Sequence, residues 1–138
     1  MPEIAGRVYP PCRTPIERER VEAFARALGV DPADGVPPTY AAVYALEATA
    51  LQLFGDPDAA IDFSHLLHVE QDFEWTRHPE VGETVTAVAR VAADLTRRGV
   101  RLVTLETACS VIEEPLCVAR ARFAITEGAP AGGEVARG

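Results

Sequence analysis

Lysine and asparagine are both absent from these 138 residues, so every basic side chain is an arginine. Without lysine there is no Schiff-base chemistry and no other mechanism that needs a side-chain amine. Cysteine is scarce: Cys12, Cys109 and Cys117 form no C-x-x-C. An odd number without a secretory context reads as reduced thiols of a cytosolic protein. His65, His68 and His78 lack H-x-x-x-H and H-E-x-x-H spacing, so no metal site is expected. No apolar run approaches the length of a membrane span, and the mean hydropathy is +0.03. A transmembrane helix is thereby excluded. The opening MPEIAGRVYPPC lacks a basic start followed by an apolar stretch, so no secretory signal is expected and the cytoplasm is the expected compartment. Positive charge is outweighed as well, 13 basic against 21 acidic residues for a net −8. A nucleic-acid partner is not expected, since phosphate backbones are bound by a basic footprint. Small anionic ligands stay open, because a local arginine pair outweighs a global charge.

What is present is an ordinary apolar fraction of 48% and a charged fraction of 25%. A chain of this length buries about 68–70% of its unfolded surface. One domain is expected over 1–127, followed by a disordered tail over 128–138, where GAPAGGEVARG, with a net charge near zero, has little to bury. The first fourteen residues are Pro-rich and read as irregular. Thr14 and Pro15 suit the cap and first position of a helix, and IERERVEAFARALG keeps Ile16, Val21, Phe24, Ala25 and Leu28 on one side, with Gly29 as the stop. Three prolines and a glycine punctuate 30–38. A second helix, YAAVYALEATALQLF over 40–54, is apolar nearly all round with Glu47 as its only charge. Such a helix is expected to be buried.

The period then changes from helix to strand. Residues 67–77 alternate apolar and polar, as a half-buried strand does. A second strand over 83–95 presents Val85, Ala87, Ala89 and Val91 to one face. After Arg97-Arg98-Gly99 a third presents Val103, Leu105, Cys109 and Val111. Glu113-Glu114-Pro115 reads as the turn into a fourth over 116–126, with Cys117, Ala119, Ala121, Phe123 and Ile125 inward. Four long strands in hairpin succession make an antiparallel sheet with one apolar face, and the apolar helix before them is its natural filler. The fold class expected is α+β, a hot-dog: a long antiparallel sheet around one buried central helix.

Specific strings carry a resemblance. GRVYPP with the ending ARALG, PPTY at 37–40, the long string LLHVEQDFEWTRHPEVGETVTAVARV at 66–91 and EEPLCVARARF near the C-terminus together resemble the MaoC-like dehydratase family. The likeness is to its N-terminal-type (FAS1-like dehydratase) hot-dog half, as in actinobacterial (3R)-hydroxyacyl dehydratase subunits. It covers residues 5–127. The resemblance implies hot-dog dimers and acyl thioester ligands on coenzyme A or acyl carrier protein, with no separate cofactor. It also implies an aspartate and a histidine in a D-x-x-x-x-H pattern between the two helices. Here that stretch is Gly29-Val30-Asp31-Pro32-Ala33-Asp34-Gly35, which is short and holds no histidine. Asp31 stands where the family aspartate would, without its imidazole. Hydration of an enoyl thioester needs one group to take a proton from water and another to deliver one to the α-carbon.

Several residues are candidates for chemistry or binding. His68 falls on the polar side of the long strand by alternation and matches the histidine of the family's LHxEQ string; the plain alternative is a solvated or interface histidine. Gln71 shares a face with Leu67, Val69, Phe73 and Trp75, so its amide needs partners; it either bonds a backbone end or lines the acyl channel, with Trp75 beside it. Glu47, alone on an apolar helix, would have its pKa raised by burial and suit general-base work, or else point to a dimer seam. It lies about two turns into the helix, far from the helix N-terminus at 1.5 Å per residue. Thr39 is expected to cap the central helix, whose first amides would face a thioester oxyanion. The catalytic candidates are thus Glu47, Asp31 and His68, and the substrate-binding candidates Thr39, Gln71 and Trp75. Arg97 and Arg98 at a hairpin tip could touch a phosphate, and Arg120 and Arg122 could pair with Glu106.

Three functions follow. The first is a hot-dog subunit of an enoyl- or 3-hydroxyacyl-thioester hydratase/dehydratase that lacks its own Asp–His pair and shapes the acyl site with a second hot-dog subunit, identical or different. The second is a homodimeric acyl thioesterase working from Glu47 or Asp31. The third is a non-catalytic acyl-ligand binding module.

Overall fold

The computed structural model describes residues 4–126; the tail expected to be disordered lies outside the described residues. Five antiparallel strands form one sheet in the order β1-β3-β4-β5-β2. They are β1 (Cys12–Pro15), β2 (Leu66–Trp75), β3 (Thr84–Arg97), β4 (Val100–Val111) and β5 (Glu114–Thr126). Helix α1 spans Arg18–Leu28, and a central helical run ends in α2, Ala48–Phe54. One long helix against the concave side of a curled sheet is the hot-dog architecture that the resemblance implies.

The N-terminal expectation needs correcting. Thr14 and Pro15 are not the start of a helix but the end of β1, opposite Val85 and Thr84. Proline fits there because β1 is an edge strand, where one face of the ladder is free of partners. Helix α1 begins three residues later, after extended Glu17, without a side-chain cap. Its end is as expected. Gly29 at φ 76° lets its N–H reach the Arg26 carbonyl at 3.1 Å, and the Val30 N–H reaches that of Ala25 at 3.0 Å. This is the paired closure of a glycine-ended helix.

The central run opens at extended Pro37, with Pro38 in the first position, where its missing N–H costs nothing. Thr39 is exposed and makes no capping hydrogen bond, contrary to expectation. A wider π-helical turn, Ala42–Glu47, then leads into α2. Tyr40, Ala41, Tyr44, Ala45, Thr49 and Leu53 are buried on one side of the run. Ala87, Ala89, Ala119 and Ala121 on the facing strands are buried too, and their small side chains let the helix lie close to the sheet. The Thr49 hydroxyl donates to the Ala45 carbonyl at 2.7 Å, so its polar atom is satisfied within the helix. The outer side differs from expectation. Glu47 is exposed and Leu51 is 65% exposed. A helix laid on one sheet face keeps an outer side that the same chain cannot cover.

The inward residues of β3, β4 and β5 are those that alternation selects: Val85, Ala87, Ala89, Val91, Val103, Leu105, Cys109, Val111, Cys117, Ala119, Ala121, Phe123 and Ile125 are all buried. The order of the strands is not a simple hairpin succession. β3, β4 and β5 are consecutive hairpins, but β2 crosses to the far side and pairs with β5, its other edge unpaired among the described residues. The β3–β4 hairpin turns on Arg98 and Gly99, at φ 55° and 77°, the geometry that matches strand twist. The β4–β5 turn sits at Ile112 and Glu113 rather than at 113–115, with φ 45° and 66° and with Val111 opposite Glu114. A β-branched residue in the left-handed region is strained. Replacing Ile112-Glu113 with Asn-Gly is expected to stabilise the protein by about 1–2 kcal/mol, read as a higher urea midpoint at unchanged slope.

Candidate functional site

The candidate site is the inward side of β2. Opposite residues in an antiparallel pair share a face, and β2 pairs Leu66 with Ile125, His68 with Phe123, Gln71 with Ala121, Phe73 with Ala119 and Trp75 with Cys117. All five β5 partners are buried on the core side. The step from His68 to Glu70 skips one β2 residue, so Val69 is a β-bulge. A bulge re-aims the side chains beyond it. His68 therefore stands on the same face as Gln71, not on the opposite, polar face that strict alternation assigns. Leu67 and Val69, which alternation put beside Gln71, are 65% and 46% exposed.

The bulge creates a contact. His68 Nε2 lies 3.1 Å from Gln71 Oε1, and the Gln71 amide nitrogen donates to the Asp72 carbonyl at 3.2 Å. The His68 ring rests on Phe123 at 5.0 Å between centroids, and Phe123 meets Phe54 of α2 at 5.2 Å. Further along, Phe73 and Trp75 stack at 5.5 Å, and Trp75 meets the ring of His78 edge-on. The strip is thus one polar pair among aromatic rings, half open at the sheet edge, with Trp75 39% exposed.

Beneath it lies a group that sequence reasoning passed over. Tyr44 is 1% exposed and its hydroxyl has no hydrogen-bond partner among the described residues. Burial pushes its pKa up, with Cys117 and Trp75 as its nearest polar neighbours. Cys117 and Cys109 face each other across β5 and β4, both buried as thiols. The contact to Cys117, and then burial, pushes the Cys109 thiol up.

The other candidates lie apart from the strip. Asp31 caps a short turn over 32–34, its Oδ1 accepting from the Ala33 N–H at 2.9 Å. Glu47 is exposed, so the burial on which its candidacy rested is missing. No hydrogen bond or ion pair among the described residues links Asp31, Thr39 or Glu47 to His68 or Gln71. The structure brings His68 and Gln71 into contact, sets Trp75 on the same face of β2, and leaves the rest dispersed.

Asp62, Ser64 and His65, just before β2, contain the residue types of a hydrolase triad. Asp62 Oδ1 accepts from Ser64 Oγ at 2.6 Å and from the Ser64 N–H at 3.0 Å, while Asp62 Oδ2 lies 2.8 Å from His65 Nδ1. The bond from Ser64, then that from His65, holds the Asp62 carboxyl below the usual range. Serine and histidine here share one carboxylate, and the serine faces the nitrogen already engaged by it. A nucleophile needs the other imidazole nitrogen. The group is a turn cap.

Charged groups anchor the far end of the strip. Arg77 grips Glu83 with two bonds of 2.9 and 3.0 Å and reaches Glu114 at 3.0 Å. On the outward side Glu106 takes Arg90 at 2.6 Å and Arg120 at 2.8 Å, while Arg122 pairs with Glu70 at 3.2 Å. Of the two arginines expected to meet Glu106, one does. Arg97 and Arg98 are exposed at their hairpin tip. Among the described residues there is no cluster suited to a metal ion, and no helix long and apolar enough to cross a membrane.

Comparison with known proteins identifies the family and the fold. Residues 3–117 match the family described as "FAS1-like, dehydratase domain region". A UPF0336 protein of Clavibacter michiganensis subsp. michiganensis is 37% identical over 122 residues, covering 78% of this chain and 82% of the relative. Another, from Saccharopolyspora erythraea, is 31% identical over 134 residues, covering 83% and 84%. Among solved structures, the C-terminally truncated HadBC (3R-hydroxyacyl-ACP dehydratase) complex of Mycobacterium tuberculosis matches with a TM-score of 0.72 at 20% identity, over 89% of this chain and 98% of that one. The (R)-hydratase of A. caviae matches with a TM-score of 0.60 at 19% identity, over 86% and 94%. The likeness to these structures establishes the hot-dog fold, and the family match, spanning most of the chain, makes this protein a member of the FAS1-like dehydratase-domain family.

Proposed function

We propose that this chain is a hot-dog subunit of an acyl-thioester hydratase/dehydratase that does no proton chemistry alone and shapes the acyl site with a partner chain. The observation that carries the reading is the dispersal of the acid–base groups. The stretch that would hold an Asp–His pair has no histidine, and Asp31 spends its carboxylate on a turn. What the chain keeps is a strip suited to an acyl thioester: aromatic rings for the chain and the His68–Gln71 pair for its polar head. The partner supplies the aspartate and histidine that add water across the enoyl double bond or remove it. The likeness to the HadBC complex supports assembly with a second hot-dog subunit. In this proposal the substrate rides on coenzyme A or acyl carrier protein, no further cofactor is needed, and Thr39, Gln71 and Trp75 are contacts for it. The compartment is the cytoplasm, where buried cysteines persist as thiols. A thioesterase working from Glu47 has less support, because that carboxylate is exposed and no hydrogen bond or ion pair among the described residues joins it to the strip.

The test is to co-express this chain with each MaoC-type chain of the same genome and assay crotonyl-coenzyme A hydration. Activity is expected only in a complex, at least about 100-fold above the isolated chain, the scale of positioned acid–base catalysis. Equal turnover by the isolated chain would overturn the reading.

A further inference from the structure

One row of register partners crosses the inward side of all five strands. Cys12 of β1 stands opposite Ala87 of β3, Ala87 opposite Cys109 of β4, Cys109 opposite Cys117 of β5, and Cys117 opposite Trp75 of β2. Residues directly opposite in an antiparallel pair have Cα atoms about 4.5–5.5 Å apart, within the roughly 4.4–6.8 Å that a disulfide spans. Their Cβ atoms, about 4.5–5.5 Å apart, need to close only to about 3.8 Å. Cys12 is two strands from Cys109, about 9–10 Å at the usual spacing, beyond the roughly 7 Å that a bridge can cover. The fold therefore admits one pairing, Cys109 with Cys117. Ser110 faces Pro115 while Cys109 faces Cys117, so Leu116 is an extra residue beside the pair. Such a bulge bends its strand, which gives the backbone the local freedom to bring the two sulfurs together. The contact with Cys109 lowers the pKa of Cys117, burial opposes it, and the nearby Tyr44 hydroxyl adds to the lowering. Cys117 is thus the first of the two to lose its proton, and a thiolate is the nucleophile.

We propose that Cys109 and Cys117 are an oxidisable dithiol, which hydrogen peroxide converts to a reversible disulfide beneath the aromatic end of the strip. The Cys117 sulfur attacks one peroxide oxygen, the O–O bond breaks, and the other oxygen leaves as water, giving a sulfenic acid at Cys117. The Cys109 sulfur then attacks the Cys117 sulfur, the S–O bond breaks, and the hydroxyl leaves with the Cys109 proton as a second water. Two electrons pass from the sulfurs to peroxide, and both thiol protons end in water. A thiol reductant reverses the bridge by exchange, so a reducing compartment keeps the pair open at rest. Both thiols are only 3% exposed, which admits a small oxidant and excludes a bulky one. Trp75, opposite Cys117 on the edge strand β2, is the cover that such an oxidant passes, and edge elements open more readily than the core.

The test is peptide mapping of the folded full chain after peroxide treatment, quenched by alkylation in denaturant. Trypsin cuts after Arg101 and Arg120, so one peptide, 102–120, carries both cysteines. That peptide is expected to lose about 2 Da, the two thiol hydrogens, to resist alkylation, and to regain both properties with dithiothreitol. Bridging should outpace oxidation of Cys12 at least about tenfold, since burial raises the pKa of Cys12. Cys109→Ala should halt the reaction at the Cys117 sulfenic acid, which dimedone traps, whereas Cys117→Ala should leave Cys109 unlabelled. Trp75 is the only tryptophan, and its emission should fall as the bridge forms opposite it and recover on reduction. The bridged protein should unfold at a higher urea midpoint than the reduced one, because the bridge restricts the unfolded chain. A peptide 102–120 that stays alkylatable at a peroxide dose that bridges the urea-unfolded chain would overturn the proposal. So would a bridged protein with a lower urea midpoint, which would mean that the fold does not accommodate the bond. The wild-type map alone decides the matter if either alanine variant does not fold.

Discussion

Arg101→Ala is expected to lower the free energy of unfolding by about 3 kcal/mol, the scale of breaking a buried ion pair from one side. The melting temperature should fall by about 10 °C. Asp94 and Arg101 keep only 8% and 14% of their side chains exposed, and two bonds of 2.8 and 2.9 Å join them. The pair faces the core side of β3 and β4 because the register shift between Val91 and Ala93 turns Asp94 inward, opposite Val103. Arg101 also donates to the Ala59 carbonyl, tying the loop after α2 to the sheet. Removing it strands a buried carboxylate. Its bond to Arg101 holds the Asp94 carboxyl below the usual range, against the opposing effect of burial. A depressed carboxylate contributes stability that is complete above its unfolded pKa, about 3.9, and is lost as pH falls through the folded value. The deficit of the variant should therefore be full at neutral pH and shrink under acid, as urea titrations at the two pH values will show. Asp94→Leu/Arg101→Met should cost less than the single change, since no charge is left unpaired. A pH-independent deficit, or one under about 1 kcal/mol, would mean that the pair contributes no more than an exposed one.

Gln71→Leu is expected to lower kcat/KM of the reconstituted complex about tenfold, the value of one neutral hydrogen bond to substrate. The loss should appear mainly in KM, since the amide orients the thioester and moves no proton. His68→Ala should act through the same contact, because His68 Nε2 and Gln71 Oε1 form one unit at 3.1 Å. The double variant should then lose little more than the worse single one. His68 is exposed and Gln71 half-buried on an edge strand, so chain stability should move by less than about 0.5 kcal/mol. Unchanged KM with lost stability would recast the pair as structural.

The difference between expectation and structure is sharpest at the bulge. The inward faces of β3, β4 and β5 follow from alternation over long uninterrupted runs, and the same rule places Gln71, Phe73 and Trp75. It misplaces His68, because an extra residue at Val69 leaves no mark in the pattern of apolar and polar side chains. Thr14 and Pro15 fit a helix start as well as an edge strand, and only the pairing with Val85 and Thr84 separates the two. The apolar character of 40–54 hid an outer side, since Leu51 is as apolar as a buried leucine and is yet exposed.

Hydrophobic period and glycine and proline placement sufficed for both helices, four of the five strands and the two-layer fold, while β1 was missed. Those properties are local, written in neighbours along the chain. Which strand β2 joins, the His68–Gln71 contact and the Asp94–Arg101 pair depend on residues far apart in sequence meeting at one register. Pairing energy is nearly the same for every register that keeps apolar side chains inward, so bulges and the packing of the whole sheet on its helix made that choice.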